Sequence, residues 1–170
     1  MKKLITVSLL TLLTACATQN QGQTASGPLM PTKGNTASGL VTFTQFGPKV
    51  LVTAEILGLK PNAEHGFHIH EKGDCSSGDG MSTGGHFNPT TQAHGAHGSG
   101  SHHSGDLPSL VADAKGVAKL KFESSTITVD SGVTNIIGRG LIVHRDPDDY
   151  KTQPTGNAGP RLACAVISKI

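Results

Sequence analysis

The chain has 170 residues, enough for one domain with a core of its own. Its formal charge is +2, and setting aside Lys2 and Lys3 leaves twelve basic residues against twelve acidic ones. Near-neutrality without a Lys/Arg block excludes a nucleic-acid binder, and beyond the first residues no apolar stretch is long enough to span a bilayer.

Lys2 and Lys3 precede an apolar run from Leu4 to Leu13, the pattern of a secretory signal. The run is too short for a permanent span. It ends in Leu13-Thr14-Ala15-Cys16, which resembles the lipobox of bacterial lipoproteins, where cleavage leaves the cysteine first and carrying lipid. Residues 1–15 are therefore expected to be signal peptide. Residues 16–27, rich in Gln, Asn, Ser, Thr and Gly, are expected to be a flexible lipid-anchored tether, and residues 28–170 the domain. An ordinary signal peptide cut near Ala17 is the alternative. Cysteine arithmetic favours lipidation, because three cysteines in an exported chain leave one odd thiol. With Cys16 acylated, Cys75 and Cys164 remain, and an oxidising compartment favours a disulfide between them. The expected location is the periplasm or cell envelope, with the membrane touched only through Cys16.

From Gly39 onward the apolar period is two. Leu40–Phe46 and Val50–Ile56 alternate around a Gly47-Pro48 turn, and His65–Glu71 is a third strand candidate. Lys72 to Asp106 is long and rich in Gly, Ser and His, unusual in a compact domain unless function or a ligand holds it. Strand signals resume at Leu107–Val111, Val117–Phe122, Arg139–His144 and Leu162–Ser168, with a second long loop from Arg145 to Pro160. No amphipathic helix of useful length is present. The pattern predicts an all-β, antiparallel sandwich or barrel. A further strand has only Thr24–Lys33 to draw on, where Pro28 and Pro31 suit an edge.

His68 and His70 are two apart on a strand candidate, so their imidazoles share one face. Alone, that pair reads as two histidines on a solvated face. His86 follows a glycine pair, and His94, His103 and Asp106 follow in the same loop; three histidines and a carboxylate can close a tetrahedral zinc shell. His144 ends the strand that carries Leu141, Ile142 and Val143. A loose metal-scavenging tract would explain the loop, but not His68, His70 and His144 on strands.

Four motifs occur in order: Gly66-Phe67-His68-Ile69-His70, Gly85-His86-Phe87-Asn88-Pro89, His103-Ser104-Gly105-Asp106-Leu107, and Gly156-Asn157-Ala158-Gly159-Pro160-Arg161-Leu162-Ala163-Cys164. With them the chain resembles the copper/zinc superoxide dismutase family from about Gly39 to Ile167. The resemblance implies an eight-stranded Greek-key barrel with two long functional loops, and one copper and one zinc ion per subunit. It implies copper on His68, His70, His86 and His144, and zinc on His86, His94, His103 and Asp106, with His86 as the bridging imidazolate. Asp148 matches the carboxylate spanning His68 and His94, Cys75 and Cys164 match the family disulfide, and Arg161 matches the arginine beside the open face of copper.

The implied activity is dismutation of superoxide to dioxygen and hydrogen peroxide, with His86 relaying a proton, in a homodimer or monomer. Superoxide is a small anion, so Arg161 would supply the nearest fixed positive charge, and Lys151 assists from the Arg145–Pro160 loop. Extra to the family pattern are His97 and His102, expected as solvated loop histidines; metal capture is the sharper alternative. His102 in place of His103 as a zinc ligand is a possible register, though His103 keeps the His-x-x-Asp spacing. His65 is assigned to packing. The rival functions are an extracytoplasmic copper/zinc-buffering lipoprotein on the same barrel and a hydrolytic zinc enzyme, which would need an open zinc position.

Overall fold

Alternating burial makes the sheet. The computed structural model describes residues 22–170, so the expected signal peptide, Cys16 and the tether as far as residue 21 lie outside the described residues. Ten strand segments follow: β1 (Thr24–Pro31), β2 (Ser38–Phe46), β3 (Lys49–Leu57), β4 (Glu64–His65), β5 (Phe67–His70), β6 (Leu110–Val111), β7 (Ala118–Ser124), β8 (Gly140–His144), β9 (Arg161–Val166) and β10 (Ser168–Lys169). A single 3₁₀ turn, Met81–Thr83, lies in the first long loop. On β3, Val50, Val52, Ala54 and Ile56 point inward while the residues between them face solvent or its margin. Val41 and Phe43 of β2 meet them from the next strand.

The sheet runs in the order β5-β8-β9-β1-β2-β3-β7, every described pairing between these strands is antiparallel, and β10 also pairs β1. Joins between sequence-distant strands (β5 to β8, β9 to β1, β3 to β7) are Greek-key crossovers. β4 pairs β6, and β6 packs beside β7, so the two ends of the sheet curl together. Since β4–β5 is one strand broken at Gly66 and β9–β10 one broken at Ile167, the barrel has the eight strands expected.

Three local expectations change. The tether ends sooner, because β1 starts at Thr24, where Thr24–Leu29 pairs with Thr44–Gly39 and Ala25 enters the core. Nor is β1 an edge, since it lies between β2 and β9. Pro28 is tolerated there because pairing on the β9–β10 side is interrupted between Ser26 and Met30. Of the Leu107–Val111 strand only Leu110 and Val111 pair regularly; Asp106 makes an isolated bridge to His68 instead.

β5 and β8 are buried along their whole length. An antiparallel strand normally shows one face to solvent. Here Phe67, Ile69, Leu141 and Val143 enter the core, while His68, His70 and Ile142 lie on the outer face and are covered all the same. The cover is the two long loops. Cys75 in the first loop is disulfide-bonded to Cys164 on β9. Arg161 donates from Nη1 to the Gly80 carbonyl and to Thr83 Oγ1 (2.7 Å), and from Nη2 to the Gly84 carbonyl (2.8 Å). Gln153 in the second loop clasps the first at His94, donating to its carbonyl (3.0 Å) and accepting from its backbone N–H (2.9 Å).

The disulfide spans 89 residues, so on loop-entropy grounds its removal is expected to cost roughly 4–5 kcal/mol. Cys75→Ser/Cys164→Ser should melt well below the oxidised protein in calorimetry; an unchanged melting temperature would contradict the cross-link's role in holding the cover.

Candidate metal centre

His68 and His70 take their common outward direction from the period of β5. His144 closes β8 at a bulge: Val143 pairs Ala163, but His144 pairs Arg161, so Leu162 has no partner. Without this extra residue Arg161 would share Ala163's inward face. The bulge turns Arg161 to the side of His144, the re-aiming that bulges do beside functional sites. His86 is bridged to His70, and Asp106 to His68, so the loop is stitched to the edge of β5 at both points.

These placements gather two groups. The donor atoms of His68, His70, His86 and His144 lie within 4.8 Å of one another, as do those of His86, His94, His103 and Asp106. His86 belongs to both. All seven residues are at least 95 % buried, so the reading of His68 and His70 as a solvated pair does not hold.

Each ring is oriented through one nitrogen, leaving the other bare. His68 Nε2–H donates to Asp148 Oδ2 (2.6 Å), His70 Nδ1–H to the Gly84 carbonyl (2.9 Å) and His144 Nδ1–H to the Gly159 carbonyl (3.0 Å). His94 Nε2–H donates to Asp148 Oδ1 (2.9 Å), so Asp148 ties one ring of each group. Asp148 itself accepts from the Tyr150 backbone N–H (2.7 Å). Gly156 lies so close that a β-carbon there would sit 1.9 Å from Asp148 Oδ1, and its φ of +65° is one that glycine adopts without strain.

The opposite nitrogens are buried without a hydrogen-bond partner: His68 Nδ1, His70 Nε2, His86 Nε2 and His144 Nε2 in the first group, His94 Nδ1 and His103 Nδ1 in the second. His94 Nδ1 lies 3.1 Å from Asp106 Oδ2 but off the line of a hydrogen bond. His86 Nδ1 is 2.9 Å and His103 Nδ1 3.4 Å from Asp106 Oδ1. An unpartnered buried nitrogen costs about 1–3 kcal/mol, so six converging ones make sense around cations. Four imidazoles without carboxylate or thiolate suit copper. Three imidazoles and a carboxylate form the closed donor set of a structural zinc site.

Burial pushes the His68 ring down to about 4, against the pull of Asp148. It pushes His144 down to about 3, with His68 adding repulsion, and His70 well below the usual imidazole range. A lowered pKa favours the neutral ring, the form in which an imidazole can ligate a metal. For His94 burial also opposes charge, but Asp106 and Asp148 outweigh it and lift the ring to about 9. The same contacts outweigh the burial of both carboxylates and hold them below the usual range.

The remaining expectations fall out differently. His65 is buried, as assigned, and its Nδ1–H also donates to the His144 carbonyl (2.9 Å). His97 is half-buried and His102 buried, so neither is a solvated loop residue, and neither falls in a donor group. The His-x-x-Asp register selects His103 over His102. Lys151 is exposed. Four contributors escaped sequence reasoning: the Gly84 and Gly159 carbonyls, the Gln153 clasp, and Gly156. Only the glycines left a trace, in the Gly84-Gly85 pair and the Gly156–Gly159 motif.

A histidine whose pKa is lowered on folding binds fewer protons than the unfolded chain between its folded value and about 6.5. His68, His70 and His144 therefore remove stability from the metal-free protein as pH falls from about 6.5 towards 4. His94 acts oppositely, its contribution being present below 6.5 and lost as pH rises through about 9. His97 and His103 are also shifted down, chiefly by burial, so with five rings against one the metal-free protein should melt at a lower temperature at pH 5 than at pH 7; equal or reversed melting points would refute this.

Residues 37–167 match the family described as copper/zinc superoxide dismutase. Superoxide dismutase [Cu-Zn] 2 of Aquifex aeolicus (strain VF5) is 38% identical over 171 residues, covering 98% of this chain and 99% of that protein. Superoxide dismutase [Cu-Zn] of Paramecium bursaria Chlorella virus 1 is 46% identical over 135 residues, 76% of this chain and 71% of its own. The crystal structure of the clock protein EA4 superposes with a TM-score of 0.80 at 40% identity, covering 89% of this chain and 97% of the other. With that match in sequence and fold, and with buried histidine groups suited to copper and zinc, the chain belongs to the copper/zinc superoxide dismutase family of oxidoreductases.

Proposed function

We propose that the protein protects the cell envelope from extracytoplasmic superoxide, with copper on His68, His70, His86 and His144 and zinc on His86, His94, His103 and Asp106. The observation that carries this reading is the set of six unpartnered ring nitrogens, sorted into an all-imidazole group and an imidazole–carboxylate group that share His86. When bound, copper supplies the one-electron couple that dismutation needs, and zinc, having no accessible redox state, supplies fixed positive charge.

The chain's own residues do the rest. Two superoxide ions and two protons give one dioxygen and one hydrogen peroxide, so a proton donor must stand at the site. His86 Nε2 faces the first group while Nδ1 faces Asp106, so Nε2 is the atom that takes up a proton and hands it to the peroxide. Asp148 keeps the His68 and His94 rings from turning. Loop cover keeps bulk water off the imidazoles, and Arg161 stands across the strand pair from His144. Of its five N–H groups three are used on Gly80, Thr83 and Gly84, and the other two can receive a small anion. Superoxide dismutase is itself a standing example of electrostatic steering, and Arg161 is the cation placed to do it here.

Activity is expected only in samples loaded with copper. Activity with zinc alone contradicts the reading, and a fully loaded but inactive protein favours a metal-buffering lipoprotein. Arg161→Met should lower kcat/KM about tenfold and flatten its dependence on ionic strength.

The location rests on Lys2, Lys3, the run to Leu13 and the lipobox-like Leu13–Cys16. Pairing of Cys75 with Cys164 leaves Cys16 as the third cysteine, free for lipid. Labelled fatty acid should be incorporated by the wild type and not by Cys16→Ser; equal labelling of both removes the proposed anchor.

A further inference from the structure

Between His94 and His103 the chain carries two histidines that neither donor group uses. Both are tied to backbone. His97 Nδ1–H donates to the Asp106 carbonyl at 3.0 Å, and His102 Nδ1–H to the His103 carbonyl at 2.7 Å. Their ring centroids are 5.1 Å apart, and His97 meets Phe122 of β7 edge-on at 5.0 Å. The Gly98 N–H donates to His102 Nε2 at 3.3 Å, and the Ser99 N–H to the Ala96 carbonyl at 2.9 Å. A turn without regular structure is thus pinned to the barrel wall through a short run of ring contacts, one tilted and one edge-on.

The two carbonyls they hold belong to two residues of the second donor group. A peptide plane held at its oxygen has little freedom about its flanking dihedrals, so the direction of the attached side chain is limited too. Asp106 is gripped from both ends, since its Oδ2 accepts the backbone N–H of Gly95 (3.2 Å) and His103 (2.8 Å) while His97 holds its carbonyl. Metal capture fits these rings poorly. His102 has both nitrogens engaged, and His97 has given Nδ1 to a carbonyl.

We propose that His97 and His102 are positioning residues, a second tier of imidazoles that pre-forms the His86, His94, His103 and Asp106 group for a four-coordinate divalent cation. The proposal rests on the reading of that group as the zinc site. The braces reach the all-imidazole group only through Asp106, whose carboxylate meets the shared His86 and whose backbone bridges His68, so their removal is expected to act mainly on the second group.

The test compares the full chain with His97→Leu/His102→Leu, which keeps apolar bulk but loses both donors, and with His97→Asn/His102→Asn, whose amide Nδ2–H stands where the ring Nδ1–H stood. Zinc and copper affinities are measured separately by chelator competition, the visible bands of Co²⁺ report the geometry of the second group, and melting of the metal-free forms reports stability. The leucine pair should lose zinc affinity about tenfold or more, hold copper within about twofold, and weaken the tetrahedral Co²⁺ bands, with the asparagine pair recovering most of each. Unchanged zinc affinity overturns the proposal, and so does a parallel fall in zinc, copper and melting temperature, which marks a merely structural role. If the leucine pair does not fold, His97→Gln/His102→Gln replaces it, since glutamine moves the donor off the carbonyl while staying polar. Weaker zinc binding by the glutamine pair than by the asparagine pair then supports the brace, and equal binding overturns it. His94→Ala separates the two layers: if it still binds zinc with wild-type affinity, the donor assignment itself is wrong and the brace falls with it.

Discussion

An imidazole buried with one bare nitrogen has lost its water and gained nothing in return, and this molecule holds six such nitrogens facing one another. At about 1–3 kcal/mol each, the sum rivals the entire 5–15 kcal/mol stability of an ordinary domain. Other features of the architecture bear on that imbalance. A barrel wall fixes three of the rings, one carboxylate and two loop carbonyls fix their tautomers, and a cross-linked loop keeps water out. Cations then return the missing interaction, so binding them is also folding energy.

Asp148 and Asp106 divide this labour. Asp148 lies behind the rings: it touches His68 and His94 through the nitrogens that face away from the donor clusters, and so couples the two groups without entering either. Asp106 lies among the second group and brings a negative charge to three imidazoles. Both carboxylates stay ionised because these contacts outweigh their burial. Placing fixed anions beside a ring that burial holds neutral in the all-imidazole group, and beside a ring lifted towards charge in the other, separates the halves electrostatically before any ion arrives.

Strand positions were legible in the sequence wherever a period of two survives. Val50 to Ile56, the His68/His70 pair and Leu141 to Val143 all read correctly because a pleat alternates side chains whatever else surrounds it. What periodicity could not announce was that the outer face of β5 and β8 would also be covered, because that depends on where two long loops lie. The strand at Thr24 was obscured for a related reason: polar Thr24, Ser26 and glycine look like tether until pairing with β2 makes them a sheet. The resemblance named the same seven side chains that the fold gathers into two groups, whereas Gln153 and the Gly84 and Gly159 carbonyls act through loop geometry that leaves no pattern in composition.

The unpaired Leu162 shows how much one residue can decide. Between Val143/Ala163 and His144/Arg161 the register shifts by a residue, and a side chain bound for the core is sent to the outer face instead. There Arg161 reaches Gly80, Thr83 and Gly84, and the Gly84 carbonyl it holds is also the acceptor for His70 Nδ1–H. The cation best placed to meet an anionic substrate is therefore part of what fixes a ring of the all-imidazole group. Because one carbonyl serves both, a change at Arg161 reaches the geometry of His70 as well as the field at the mouth of the site, and electrostatic guidance and ligand orientation are not independent properties of this protein.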